Sequence, residues 1–313
     1  MKRTRRSYIW EFLKSAIYVF RYKILRIKPP TNRIGKYKEI TMKKSNNAIE
    51  EAIRKGEPFA AIRFGAVEIS ALNNYEKIRL GFRRKYKKSV VYSIKNNAGV
   101  FPPTQEIIDF YAKYLETNLK DTDYLGVSGV HMENYFFKHL TPNATPVQNW
   151  ALDPLLGKWS HLLAGKRVLV ISPFAEQIEE QYEKRHLLFQ AEPEILPEFT
   201  LVTIPAILTS GKAASKEFDN WFEVLDYLKL EILKKDFDIA LVGAGAYGTP
   251  LCLYIKSLGK MAIQSGGATQ LLFGLMGKRW EKREYVARHV NPHWSRPTVK
   301  PYGHKNIEGG CYW

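Results

Sequence analysis

The stretch from Asp236 to Trp280, DFDIALVGAGAYGTPLCLYIKSLGKMAIQSGGATQLLFGLMGKRW, constrains the fold of this chain most. An apolar run, Ile239 to Val242, leads directly into Gly243-Ala-Gly245-Ala-Tyr-Gly248. Leu251, Leu253, Tyr254, Ile255 and Leu258 then follow a helical pattern that stops at Gly259, and a second apolar run, Met261 to Ile263, ends in Gly266-Gly267. Strand, glycine turn, helix, strand is the unit from which parallel sheets are built. Glycines in such a turn let the backbone approach a ligand closely, and the helix N-terminus offers free N–H groups and the positive end of a dipole. The chemistry this predicts is recognition of a phosphate or another anion.

Gly-x-Gly-x-x-Gly also marks dinucleotide sites. Those place an Asp or Glu about 20 residues further on, at the end of the next strand, to hold the ribose hydroxyls. Here that strand ends in Gln264 and Ser265, and the motif lies late in the chain. A nicotinamide or flavin site is therefore the weaker reading, and tight helix–strand packing is the non-functional one.

The remaining pattern extends the same architecture. Phe59-Ala-Ala-Ile-Arg63-Phe64-Gly65-Ala66-Val67-Glu68 reads as a buried strand, a glycine turn and the start of a helix, preceded by a helix from Ala48 to Lys55 that Gly56 ends. Arg63 stands inside an apolar pattern, where a charge needs a reason. Further expected elements are a helix from Glu106 to Leu115 and strands from Tyr124 to Ser128, Arg167 to Ile171 and Leu201 to Ile204. Helices are expected from Glu176 to Phe189 and from Trp221 to Leu233. Strands alternating with helices predict an α/β, Rossmann-like, doubly wound and mostly parallel sheet, with ligands at the strand C-termini. The turns at Arg63–Glu68, Ser172–Glu176, Gly243–Gly248 and Gln264–Gln270 would then surround the site, with the polar loop at Asn96-Asn97 beside them.

Charge sets the class of partner. A net charge of +17 and a pI near 9.6 imply anionic partners: lipid, nucleic acid or phosphorylated substrates. Two cysteines, Cys252 and Cys311, exclude a disulfide framework and suit a reducing cytosol. Lys2, Arg3, Arg5, Arg6, Lys14, Arg21, Lys23, Arg26 and Lys28 face a single acid, Glu11, in the N-terminal segment. Between them Ile9, Trp10, Phe12, Leu13, Ala16, Ile17, Phe20, Ile24 and Ile27 recur mostly at helical steps. This predicts a basic amphipathic helix, closed by Pro29-Pro30, whose uncharged run is too short to span a bilayer. Lying on an anionic membrane surface fits it best, and docking on the domain by its apolar stripe is the plain alternative. The basic run Arg79 to Lys88 reads either as a solvated helix face or as a second patch for phosphate or lipid headgroups. No nucleic-acid recognition module is visible, so nucleic acid is not an expected partner.

Arg63-Phe64-Gly65 with Glu68, then LVGAGAYGTPLCLYIKSLGKMAIQSGGATQLLFGLMGKRW and the ending EGGCYW, resemble bacterial polysaccharide-biosynthesis proteins related to the GT-D-fold glycosyltransferases. The resemblance covers most of Phe59 to Trp313. It implies a domain that transfers a sugar from a nucleotide-sugar donor to a glycan acceptor, with manganese or magnesium on the donor diphosphate held at an Asp-x-Glu pair. Here that triplet is Ala66-Val67-Glu68, so Glu68 is the only candidate metal ligand it retains. Glu68 is equally the expected catalytic base. Arg63, Gly65, Asn97, Ser172, Gly243, Gly245, Tyr247, Gly248, Gln264, Gly266, Gly267 and Gln270 are the expected donor-binding residues, and His293, Trp294 and Arg296 are candidates to close over the donor. The expected organisation is a membrane-surface helix and linker over 1–35, a catalytic domain over 36–290 and a tail packed on it over 291–313. The expected protein is a cytoplasmic glycosyltransferase, peripheral on the inner face of the plasma membrane, acting on a lipid-linked glycan. The rival readings are an NAD(P)-dependent sugar-modifying oxidoreductase and a non-catalytic scaffold that binds a nucleotide sugar.

Overall fold

Short apolar runs bounded by glycine, proline or charge become seven strands in the computed structural model, which describes residues 3–27, 34–210, 217–300 and 303–313. They are β1 (Ala60–Arg63), β2 (Tyr124–Val127), β3 (Thr145–Gln148), β4 (Arg167–Ser172), β5 (Thr200–Pro205), β6 (Ile239–Val242) and β7 (Met261–Ile263). They form one sheet in the order β3-β2-β1-β7-β6-β4-β5, and every pairing is parallel. Alternate residues of a strand face opposite sides. Val168 and Val170 of β4 accordingly join a core with Trp159, Ile49 and Leu272, while Leu169 and Ile171 join the other with Trp221, Tyr111 and Tyr135. Both faces are covered, which is why β4 and β6 read as unbroken apolar runs rather than as alternation.

The winding explains where a ligand can sit. The chain steps outward from β1 to β3, restarts at β4 on the far side and returns through β6 to β7, which lies beside β1. The crossover leaving β1 runs away from β7, the last strand of the sheet, and in such sheets ligands bind in the crevice outside the strand C-termini.

The elements additional to those the sequence predicted include a strand and a helix. β3 is a four-residue edge strand containing Pro146, a residue that cannot donate to a ladder and is tolerated at a sheet edge. Glu133–Leu140 is a helix. The helix expected over 176–189 is instead two, Ala175–Glu183 and Arg185–Leu188, divided at Lys184. The basic run at 79–88 is largely not helical: the helix Ala66–Arg79 ends there, and residues 80–87 form a turn.

The N-terminal helix α1 (Arg5–Val19) continues as one π-helical turn, Phe20–Ile24. It is docked by its polar and aromatic side. The Tyr8 hydroxyl donates to Asn73 Oδ1 at 2.5 Å, Glu11 accepts from Lys138 and Asn134 at 2.8 Å each, and Ser15 Oγ accepts from Met132 N at 2.8 Å. Arg3 pairs with Glu116 and reaches the fully buried Glu76 at 3.5 Å. Ile9, Trp10, Leu13, Ile17, Phe20 and Ile24 face outward, between 47% and 64% exposed. The apolar stripe is therefore not what docks the helix on the domain. No helix of the described residues is long and apolar enough to cross a membrane.

Candidate functional site

The crevice holds a cavity of about 490 Å³ walled by the C-terminal ends of β1, β4, β6 and β7 and by the end of the chain. Glu68, Arg63, Gly65, Asn97, Ser172, Gly243, Gly245, Gln264, Gly266, Gly267 and Gln270 all line it. These residues come from turns spread over the whole chain, and the sheet topology brings them together.

Arg63, the last residue of β1, dominates its electrostatics. Its backbone N–H donates to Gln264 Oε1 at 3.1 Å, which ties β1 to the end of β7. Its guanidinium makes no hydrogen bond or ion pair with any described residue. Burial works against its charge and pulls its pKa down, with the Tyr312, Glu68 and Asp153 side chains only partly opposing. The slot that receives it is made by Gly266, which has φ +58°; a Cβ there would overlap the guanidinium. Glu68 is placed in a related way. It sits in the first turn of α3 (Ala66–Arg79; α2 is Met42–Lys55), and its carboxylate folds back over Gly65, where a Cβ would overlap it. Burial raises the Glu68 pKa, against the lowering effects of its own backbone N–H and of Arg63.

The triplet of glycines divides its work differently from the expectation. Gly243 and Gly245 line the cavity, but Tyr247 and Gly248 do not. Tyr247 is 2% exposed, stacks on Trp221 at 5.0 Å with the rings 8° from parallel, and meets Thr209 Oγ1 through its hydroxyl at 3.1 Å. It is a core residue. Gly248 is small because Gln264 packs on it: a Cβ would lie 2.7 Å from Gln264 Nε2. The start of the following helix, Gly248–Ser257, consequently does not face the cavity, whereas the first turn of α3, Gly65 to Glu68, does. The helix dipole available to an anion is that of α3.

A GT-D fold-like domain matches residues 40–272. The chain belongs to the GT-D-like family. No curated protein and no solved structure matches it. The match ends before the last wall of the cavity, which the GT-D-like chain builds from residues 279–313.

That wall contains what the sequence reading missed. Arg279 donates to the Tyr312 hydroxyl at 3.0 Å and pairs with Glu308 at 3.1 Å; Arg283 also lines the cavity. The tail is seated by glycines and by Gln270. Tyr312 lies over Gly267, the carbonyls of Cys311 and Tyr312 press on Gly277, and Gln270 Nε2 donates to Tyr312 O at 3.1 Å. Gln270 Oε1 is buried without a partner. Trp313 meets Phe174 edge-on at 6.0 Å. His293, Trp294 and Arg296 do not line the cavity: Trp294 is buried with its indole N–H on Leu188 O, and Arg296 pairs with Glu281. Asp153 also lines the cavity. It caps the helix Pro154–Gly157 by accepting from Leu155 N at 2.9 Å and accepts from the Tyr285 hydroxyl at 3.1 Å. Burial raises its pKa.

The donor set does not fit a dedicated divalent-metal cage. Among the described residues no group of three or more His, Cys, Asp or Glu side chains is arranged to hold a metal. Ala66 stands, exposed, where the family pattern has its first carboxylate, and Asp153 is engaged as a helix cap. What the cavity offers is an unpartnered cation, a helix N-terminus and one uncapped carboxylate.

Proposed function

We propose that this GT-D-like protein is a glycosyltransferase that moves a sugar from a nucleotide-sugar donor to a glycan acceptor. The observation that carries the reading is the Arg63 guanidinium, set into the cavity with no counter-ion in contact among the described residues. Burying an unpaired cation is costly, and a diphosphate bound there would supply the missing partner. A cavity of this size accommodates a nucleoside diphosphate sugar in part or whole.

The chemistry follows from the two charged groups. Transfer breaks the bond between the anomeric carbon and the diphosphate oxygen, and the electron pair leaves on the diphosphate. Arg63 and the N–H groups of the α3 first turn stabilise that developing charge. A new bond forms between the anomeric carbon and an acceptor oxygen, whose proton passes to the Glu68 carboxylate. The raised pKa of Glu68 makes it a better base than an ordinary carboxylate near neutrality. The wider reading is that the acceptor is lipid-linked, that the pathway makes a bacterial surface polysaccharide, and that the enzyme works on the inner face of the plasma membrane. The outward stripe of α1, flanked by the exposed Arg6, Lys14 and Arg21, supports the membrane part.

Thermal-shift screening against UDP- and GDP-sugars, free UDP and GDP, and NAD(P), each with and without manganese, tests this. A nucleotide sugar should raise the melting temperature by mass action, by an amount equivalent to about 2.7 kcal/mol at a hundredfold excess over Kd. Stabilisation by NAD(P) alone would overturn the reading in favour of an oxidoreductase. Nucleotide-sugar binding without any turnover would favour a scaffold, a reading that the alanine at position 66 keeps open.

A further inference from the structure

A second cavity, of about 450 Å³, lies where α1 crosses the C-terminal ends of β2 and β3. It adjoins the first: Ser128, Val130, Asn149 and Trp150 line both. We infer that this second cavity is the acceptor subsite, that it takes a neutral carbohydrate, and that the Trp150 ring is the platform for one sugar. The inference rests on the transferase reading for the word acceptor, but not for the carbohydrate.

Three observations carry it. Trp150 follows β3 directly and is 48% exposed, with no ring partner and no hydrogen bond to its indole N–H among the described residues. An indole face left open at the mouth of two cavities presents negative π density, which suits the weakly positive C–H face of a pyranose. Beside it, Asn149 lines both cavities, and its Oδ1 has no hydrogen-bond partner among the described residues. Asn149 also lies close to the donor side: a Cβ on Gly126 would sit 3.2 Å from Asn149 Oδ1 and 3.3 Å from Arg63 Cβ.

Charge then selects the class of ligand. The donor cavity sets Arg63, Arg279 and Arg283 against Glu68, Asp153 and Glu308, whereas the second cavity carries Glu11 and Glu133 against Lys14 and is the more acidic of the two. Both carboxylates are held in place, Glu11 by Lys138 and Asn134 and Glu133 by the N–H groups of Ser128 and Gly129 at 2.9 and 2.6 Å. Fixed carboxylates repel a diphosphate and accept hydroxyls. Ser15 and Tyr18 of α1 complete a polar lining, so one helix would present its outer face to lipid and its inner face to the glycan.

The test uses the full-length protein, isotope-labelled, and a panel of methyl glycosides (glucose, galactose, N-acetylglucosamine, rhamnose) with lactose and cellobiose as probes. The chain has seven tryptophans. The indole N–H resonance of Trp150 is assigned by its loss in Trp150→Phe. At least one sugar should shift that resonance saturably while leaving Trp10, on the outer face of α1, unmoved. Trp150→Ala and Asn149→Ala should each weaken the sugar by roughly tenfold, Trp150→Phe should largely retain it, and in both alanine variants the sugar response should fall further than the melting-temperature shifts by UDP and GDP. The inference is overturned if no sugar moves Trp150, if the response survives both alanine variants, or if Trp150→Ala abolishes nucleotide and sugar responses together. Sugar binding at Trp150 without any nucleotide binding would leave the subsite standing and remove the donor reading instead.

Discussion

Gly266→Ala isolates what the Arg63 slot contributes. Two costs are separable in the structure. Gly266 has φ +58°, so alanine there pays the left-handed backbone penalty, about 1–2 kcal/mol. Its Cβ would also overlap the Arg63 guanidinium, a movable group that would swing away rather than unfold the turn. Losing a charged group's hydrogen bonds to a diphosphate costs about 1.5–3 kcal/mol, or roughly 10- to 150-fold in affinity. Gly56→Ala is the matched control: φ is +68°, and no heavy atom lies within 4 Å of the added methyl. Both variants should lose similar stability in urea unfolding, but only Gly266→Ala should lose nucleotide affinity by calorimetry. In an Arg63→Met background Gly266→Ala should change affinity little further, since its target is already gone. Nucleotide affinity within about threefold of wild type in Gly266→Ala, at the stability loss of the control, would refute the claim that Gly266 exists to seat Arg63.

The other predictions concern charge and surface. Glu68→Gln should lower turnover by roughly 10²- to 10⁴-fold with nucleotide binding retained. Because burial raises its pKa and the base must be ionised, wild-type kcat/KM should fall with decreasing pH through a value above the usual 4.3 or so of glutamate, and the variant should lose that limb. Glu76 is buried, and although burial raises its pKa, hydrogen bonds from Arg79 and Tyr135 and the charge of Arg3 win and leave it lowered. Its contribution is therefore complete at neutral pH and is lost as pH drops below about 4.3; Glu76→Gln should cost about 2 kcal/mol at pH 7 in denaturant unfolding and flatten that acid dependence. A double Leu13→Glu, Ile17→Glu variant should keep the wild-type melting temperature, since both side chains are more than half exposed, yet lose at least about tenfold in co-sedimentation with anionic vesicles.

How much of this was legible in the sequence depends on how local each feature is. β6, β7 and the helix Trp221–Leu233 have the bounds read from the chain, because apolar runs there meet glycine, a charge or a polar side chain at both ends. β3 was invisible because four residues with a proline carry no period. The near half of the cavity was readable for the same local reason: Arg63 breaks an apolar strand, and Gly266 breaks the turn after another. Tyr247 misled because an aromatic beside glycine looks the same whether a ligand or a distant Trp221 stacks on it. Arg279 and Glu308 lie in the stretches that carry the family resemblance, with Arg283 between them, but none of the three is marked by its type or spacing as part of a cavity wall. Only the return of the tail onto Gln270 turns them into a wall, and nothing in their spacing announces that contact.

The excess positive charge of the chain finds its meaning outside the cavity. Within it three arginines, Arg63, Arg279 and Arg283, face three acids, Glu68, Asp153 and Glu308, so the site itself is near balance and is specific rather than broadly cationic. The surplus gathers where α1 meets the turn after α3. Arg5 Nε donates to Leu80 O at 2.6 Å, and Phe82 packs on Tyr8 with ring centroids 5.6 Å apart, so Arg83, Arg84 and Lys85, all exposed, continue the basic flank of α1. The run at 79–88 and the N-terminal helix, two features in the sequence, are one surface in the fold. That surface borders the apolar stripe, and an interfacial helix needs both: apolar area to hold it and fixed cations whose pull on an anionic leaflet fades within a Debye length of about 10 Å at 0.1 M salt. On the proposed membrane reading, α1 would turn one face to lipid and the other to the second cavity. Arg3, bridging Glu116 and the buried Glu76, holds the start of the helix to the domain between them.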